Sequence, residues 1–402
     1  MKFSYSWNRF LLSAFFIFIF LTQFTLRTPG FESRGIDFQV LARILFIYSL
    51  FFMISPSYRY FIKGLQYKPE FYLFLLLLLL LVTTLVHFSL YAIYTLTTLF
   101  ITMFIVRFYI NNFGVEKVFI VYVYFSISFA LISFFFYFFF KDIGRYSYWQ
   151  WGEFITSTRM QGVSGHPNTL AFILGINIVI TVNLMLKKVL SNKISFLSIF
   201  LSLIVLFLCN SKTNILSVII CFFIFFIFRR KTYSIMLFLC SIIIVFFIIT
   251  FVVMPEFYID IIRSASRTGD INEILTFTGR SSIWSFVLDI IYQKIIFGWG
   301  YSSAVDVLVS NSAKVGFTVA QTHNLYLQIL MSGGVICFIV FLKLIFEIIS
   351  SSINNDKVVF LQLIFYILLV GFSEAIIFNT IANCAFIVFC IVVYGLSCDE
   401  KR

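Results

Sequence analysis

Charge is scarce in this chain: Asp, Glu, Lys and Arg make up 11% of its 402 residues, against roughly 25% in an ordinary soluble domain. Histidine occurs three times and proline five. So little charge cannot clothe a water-soluble domain of this size. A transmembrane β-barrel would alternate polar and apolar residues, with turns about every 10 residues; the apolar runs here are apolar on all faces, which excludes it. The seven cysteines lie in apolar runs or at their ends, with no CxxC or Cys/His spacing. Neither a zinc site nor a disulfide framework is suggested, and the thiols read as small apolar fillers. No DxD-like carboxylate cluster stands in a polar loop, so neither a metal nor another cofactor is expected. The net charge of +12 would point to nucleic acid in a soluble chain. Here the excess of Lys and Arg in cytoplasmic loops explains it, and no nucleic-acid partner is expected.

What the chain has instead is apolar length. Hydrophobic residues make up 61%, with 57 phenylalanines, and runs of spanning length, about 17–25 residues, recur throughout. The expected fold is an all-α polytopic membrane protein forming a single integral domain, 1–402. It should have twelve spans: 10–26, 36–55, 70–86, 89–107, 117–140, 167–186, 194–209, 213–228, 233–254, 324–342, 358–372 and 377–396. The first is kept as a span rather than a signal peptide, because "TQFTLRTPGFES" offers no small-x-small cleavage site. With the N-terminus inside, most short connections on that side carry two or three positive charges, Arg107 and the run Arg229, Arg230, Lys231 among them, as the positive-inside rule requires. Both termini are then cytoplasmic. Two longer external segments remain, 141–166 and 255–323. Their Lys and Arg oppose the topology rule and call for another explanation.

Within 255–323, "SSIWSFVLDIIYQKII" (281–296) reads as an interfacial helix with its apolar face toward the membrane, capped by Thr278 or Ser281 and ended by the "GWG" of 298–300. Arg280 then stands at a helix N-terminus, where unpaired N–H groups already favour an anion, and its planar fork suits phosphate. The bland alternative is an interfacial arginine meeting headgroups. His323 and Asn324 stand where this loop enters the tenth span. A histidine there can take a proton from a hydroxyl or can serve only as a cap. Gly333 and Gly334 permit close packing or a bend. In "RMQGVSGHPNTLAF" (159–172), Arg159 and His166 are external and Pro167 suits a first helical turn. In "CNSKTNIL" (209–216), Lys212 is either an anion contact or a side chain snorkelling to headgroups. Arg43, inside the second span, divides the same way between a site and a snorkel. Asp289 and Glu374 are the weaker candidates for a second carboxylate.

The set "GHPNTLAF" (165–172), "NSKT" (210–213), "TGRSSIWSFVLDIIYQKIIFGWGYSSA" (278–304) and "THNLYLQILMSGG" (322–334) resembles the bacterial O-antigen polymerase and O-antigen ligase superfamily. The motif support covers roughly 155–345. The resemblance implies a GT-C-like membrane glycosyltransferase whose donor is a polyprenyl-diphosphate-linked oligosaccharide. It implies that external arginines hold the diphosphate while a loop histidine activates the acceptor hydroxyl. On the residues here, His323 and Arg280 are the expected catalytic groups. Arg280, Arg159, Lys212 and Arg43 are the expected diphosphate ligands, supported by His166 and Asn324. Lys212 departs from the Ser-Arg that the family commonly has in that turn, keeping the charge without the fork. The expected setting is the bacterial inner membrane with the site on the periplasmic side, the bilayer itself as a partner and a chain-length regulator as a further one. A polymerase of lipid-linked repeat units is expected first, a ligase to lipid A–core second. A lipid-linked sugar transporter stands third, since charged or broken-helix features at the bilayer midplane are not evident.

Overall fold

A computed structural model describes residues 5–26, 38–54, 66–86, 90–150, 153–230, 280–301, 303–312, 319, 321–355, 357–378 and 382–398. The apolar runs form helices: α1 (Tyr5–Gln23), α2 (Phe38–Ile54), α3 (Lys68–Val86), α4 (Leu90–Phe113) and α5 (Val115–Phe139). A short turn of helix, α6 (Lys141–Gly144), and two strands, β1 (Arg145–Gln150) and β2 (Glu153–Met160), precede α7 (Pro167–Leu186), α8 (Asn192–Cys209) and α9 (Lys212–Arg230). The C-terminal part comprises α10 (Arg280–Gln293), α11 (Ser303–Asn311), α12 (Leu325–Asn354), α13 (Val358–Gly371) and α14 (Cys384–Cys398). Among the described helices seven are long and apolar enough to cross a membrane, and α2, α9, α13 and α14 are shorter apolar helices. The multi-pass α-helical membrane architecture expected from composition is therefore present. The expected span 233–254 and the candidate cap Thr278 lie outside the described residues.

Small polar residues let the helices approach closely, as membrane packing favours. Along the α7–α8 contact, Asn177 Nδ2 donates to Ser198 Oγ at 2.7 Å and to Ser202 Oγ at 2.9 Å. On α13, Gln362 accepts from Asn183 at 2.9 Å and donates to the Cys221 carbonyl at 2.9 Å. Two expectations need correction. Arg107 is not a loop charge: α4 continues past it to Phe113, and it is buried against Glu70 of α3, 3% and 2% exposed. An arginine inside a bilayer persists only when paired, and Glu70 supplies the pair. The last helix begins at Cys384 rather than 377, because Asn383 Oδ1 accepts from the Phe386 N–H and starts the helix there. Beside the helices, β1 and β2 pair antiparallel in the segment 141–166, where Tyr, Trp, Phe, Ile and Thr favour a strand, and the fold remains all-α in class.

Part of the segment 280–311 packs on the protein. Phe286, Val287, Ile290 and Ile291 of α10 pack with Leu308, Val319 and Met331 in a second, small apolar core. The motif glycines fix its position. Gly334 (φ 67°, ψ −169°) breaks α12, in a region only glycine occupies readily. A Cβ there would lie 2.1 Å from the Ile296 carbonyl oxygen. The backbone groups around the break are paired with the segment 295–300. Trp299 and Gly300 donate to the Met331 and Ser332 carbonyls at 2.7 and 2.9 Å, and Val335 donates to the Ile295 carbonyl at 2.8 Å. This meets the requirement that irregular backbone in a membrane protein be satisfied internally. The Ser332 carbonyl also lies 3.4 Å from Thr83 Oγ1, close to the C-terminal end of α3, so the break is at that end of the bundle.

Candidate active site

Each local sequence explains how its side chain is held. In "THN" (322–324), buried Thr322 donates to the Asn324 carbonyl at 2.9 Å and to Gln328 Oε1 at 3.1 Å. Asn324 caps α12, its Oδ1 accepting from the Tyr326 and Leu327 N–H groups, while its Nδ2 donates to the Phe372 carbonyl. His323 is squeezed between them in the left-handed region at φ 48°, a conformation that costs a non-glycine residue roughly 1–3 kcal/mol. The cap is thus Asn324, and His323 is free of that duty. In "GHPN", by contrast, His166 is the cap of α7, its Nδ1 accepting from the Asn168 N–H at 3.2 Å. An Nδ1 that accepts leaves the neutral ring its proton on Nε2, so His166 is a donor rather than a base.

These elements converge on Glu374, in the turn after α13. Arg280 Nη2 and Asn168 Nδ2 both reach its Oε1 at 2.5 Å, and His323 Nδ1 lies 3.5 Å from its Oε2, at the limit of a hydrogen bond. Arg280, Glu374 and His323 are 18%, 12% and 24% exposed, so the cluster is sheltered yet open to solvent. Arg159, at the end of β2, donates to the Cys209 carbonyl at 2.9 Å and to Asn168 Oδ1 at 3.0 Å, with its guanidinium over the Tyr146 ring at 5.7 Å. Asn168 therefore ties Arg159 to Glu374, and through that carboxylate to Arg280. The turn 209–213 borders the same cluster. Thr213 Oγ1 accepts from Ser373 at 3.2 Å, beside Glu374, and Lys212 is exposed at the start of α9.

The electrostatics follow from this packing. Burial works to raise the Glu374 carboxyl, but the close approach of His323 Nδ1 and the charge of Arg280, followed by that of His166, outweigh it and bring it to about 2. Burial also lowers His166 most; Glu374 opposes it, Arg159, His323 and Arg280 reinforce it, and the ring ends near about 4. At neutral pH the cluster holds an ionised carboxylate and an uncharged His166.

Of the residues singled out from sequence, Arg280, His323, Arg159 and His166 are brought together, with Asn324 bracing them and Lys212 at the rim. Arg43 donates to the Phe24 carbonyl and, at 2.7 Å, to Thr25 Oγ1. Thr25 in turn donates its N–H to the Val163 carbonyl at 2.7 Å. Arg43 thus braces the turn after α1 against the loop that leads to His166, one layer behind the cluster. Asp289 lies on the exposed side of α10, away from these contacts. Glu374 was underweighted and Asn168 missed. The signal for Glu374 was an acidic residue between two apolar runs, which is costly without a cation; nothing in the sequence marked Asn168.

Residues 197–342 match the family model described as O-antigen ligase. No curated protein matches the chain. The matched stretch includes Lys212, Arg280 and His323, the "GWG" segment and the Gly334 break, and the family carries glycosyltransferase-like ligase activity. Over 197–342 the chain is therefore similar to the O-antigen ligase family, a match that supports the O-antigen polymerase and ligase superfamily.

Proposed function

We propose that the protein is a surface-polysaccharide polymerase, joining repeat units carried on polyprenyl diphosphate at the periplasmic face of the inner membrane. The observation that carries the reading is the convergence of Arg280 and His323 on Glu374, with Arg159 joined to it through Asn168. A glycosyl diphosphate already has a good leaving group, so the enzyme has mainly to stabilise the negative charge that develops on it. Fixed cations in a partly dehydrated site do this well. Arg280 and Arg159 hold the diphosphate, with Lys212 at the rim.

Glu374 on Nδ1 of His323 leaves Nε2 as the base and offsets the imidazolium that forms, the logic of an oriented acid–base pair. In the step, an acceptor hydroxyl gives its proton to His323 Nε2 and its oxygen attacks the anomeric carbon. The carbon–oxygen bond to the phosphate breaks, and the electron pair leaves with the diphosphate. The products are the lengthened glycan and free polyprenyl diphosphate. No step is routed through a metal.

The second reading is the ligase, which uses the same donor but delivers the glycan to lipid A–core; the description of the matched family favours it. Transport is less well supported: the break in α12 lies at one end of the bundle and its backbone is paired with the protein's own chain, whereas a transporter uses such breaks near the midplane. The test is a gel of lipopolysaccharide from a strain lacking the protein, beside the complemented strain. Core with a single repeat unit is the polymerase result. Bare core with polymer retained on the carrier is the ligase result, and an unchanged ladder rejects both.

A further inference from the structure

Asn168 belongs to the cluster, yet the transfer step assigns it nothing. It is the second residue of α7, and its polar groups are committed on three sides. Its backbone N–H donates to His166 Nδ1 at 3.2 Å, its Oδ1 accepts from Arg159 Nη2 at 3.0 Å, and its Nδ2 donates to Glu374 Oε1 at 2.5 Å. The cap made by His166 fixes the start of the helix and with it the root of this side chain. Charge sets which way round the amide lies. A guanidinium accepts no hydrogen bond, so the end facing Arg159 is the oxygen and the amide N–H turns to the carboxylate.

What the amide does at Glu374 follows from the oxygen it takes. Oε1 receives both Asn168 and Arg280, each at 2.5 Å, while Oε2 lies 3.5 Å from His323 Nδ1. Among the described residues Arg280 reaches the carboxylate through Nη2 alone, although an arginine and a carboxylate frequently close into a two-point fork. Such a fork would draw Oε2 round to the guanidinium and away from His323. A second donor on Oε1 holds the carboxylate against that turn. His323 Nδ1 is buried and has no hydrogen-bond partner among the described residues. A lone pair there would face an anion, so the neutral ring carries its proton on Nδ1 and keeps the lone pair on Nε2. Long contacts of this kind in a free enzyme tighten when substrate binds.

We infer that Asn168 is a positioning residue of the transfer reaction: it pins Glu374 in one-point contact with Arg280, so that the second carboxylate oxygen stays on His323 and fixes its tautomer. The inference rests on the proposed glycan transfer with His323 as base. It gives Asn168 no contact with substrate, and it gives Arg159 the duty of holding the amide the right way round.

The test uses the full chain in lipid nanodiscs, labelled with ¹⁵N at histidine. The chain has three histidines, and loss of a signal in His323→Ala or His166→Ala identifies the two of interest. In mildly alkaline buffer without substrate, wild-type His323 shows the Nδ1–H tautomer and His166 the Nε2–H one. Asn168→Leu keeps the size of the side chain and removes the amide. His323 then moves to the Nε2–H form, while His166, held by the backbone N–H of residue 168, is unchanged. With the lipid-linked repeat unit as substrate, kcat falls about 10²-fold, the scale of a slight misplacement at a reacting centre. KM is unchanged, because no contact with bound substrate is lost. Asn168→Gln, which retains an amide, recovers part of kcat.

A leucine variant with wild-type kcat overturns the inference, as does one whose kcat falls while His323 keeps its Nδ1 proton. So does a wild type with His323 protonated on Nε2. A rise in KM at constant kcat would make Asn168 a substrate contact, and loss of the His166 signal together with that of His323 would make its role structural; either result sinks the positioning role. A wild type that transfers no glycan strikes the transfer reading itself, and the tautomers, read without substrate, judge the Asn168 contact separately.

Discussion

Glu374 holds the external cluster together, because three groups from three different parts of the chain meet on its one carboxylate. Replacing it with Gln keeps the shape and removes the charge, leaving the sheltered Arg280 without a counter-ion. The expected outcome is loss of polymer in cells and a destabilisation on the order of 3 kcal/mol, typical of breaking a buried pair, read as a lower melting temperature in detergent. The pH dependence has a definite sign. Glu374 is held at about 2 in the fold against its usual 4.5, so its contribution is complete above the usual value and is lost as pH falls from about 4.5 toward about 2. His166, lowered from 6.5 to about 4, also favours the fold above its ordinary value, and its contribution is lost as pH falls through that interval. The melting temperature of the wild type should therefore decline below pH 6.5, and Glu374→Gln should flatten the part below about 4.5. Arg280→Ala should cut transfer by at least about 10²-fold, the scale of losing one fixed charge-stabilising donor, and Arg280→Lys should recover only part of it because the fork is gone. Arg43→Ala, which loosens a bracing turn, should cost far less than Arg280→Ala in the same ladder assay. At this scale the cations were legible, since an arginine opposing the topology rule stands out. The anion and the amide that gather them were not, because their role exists only once α7, α10 and α13 are adjacent.

The element that delivers Arg280 is α10, and its placement depends on the interlock between 295–300 and the break in α12. Gly334→Ala puts a Cβ 2.1 Å from the Ile296 carbonyl oxygen and into a backbone region hostile to L-residues. The interlock should open, moving Arg280 from Glu374 while leaving the rest of the bundle folded. The expected result is a protein that reaches the membrane in normal amount, makes little polymer, and becomes protease-sensitive between 280 and 311. Normal polymer from Gly334→Ala would mean that the interlock does not position the site. The glycines were visible in the sequence as a bend, but their partners were not: apolar periodicity in 281–296 describes equally a helix on a membrane and one packed on protein. The Leu327, Leu330 and Met331 surface beneath it receives one face of that helix. The strands were hidden for a similar reason, since aromatic residues in a chain this rich in phenylalanine carry little local signal.

For the whole molecule, hydrophobic length dictated the layout. A run apolar on all sides has no other stable place than a bilayer, and the described helices follow the expected spans closely, with shifts where a paired charge or a cap overrides composition: Arg107 with Glu70, and Asn383 at α14. What composition cannot express is the external face, where segments far apart in sequence are drawn together by a few hydrogen bonds. The central claim concerns that face, and reconstitution tests it most directly. Purified protein in nanodiscs receives the lipid-linked repeat unit of its own strain, with a chelator and without any nucleotide sugar. The account predicts polymer and free polyprenyl diphosphate from the wild type and neither from Arg280→Ala or His323→Ala. Polymer formed equally by the two variants, or a wild type that works only when a divalent metal is restored, would contradict it.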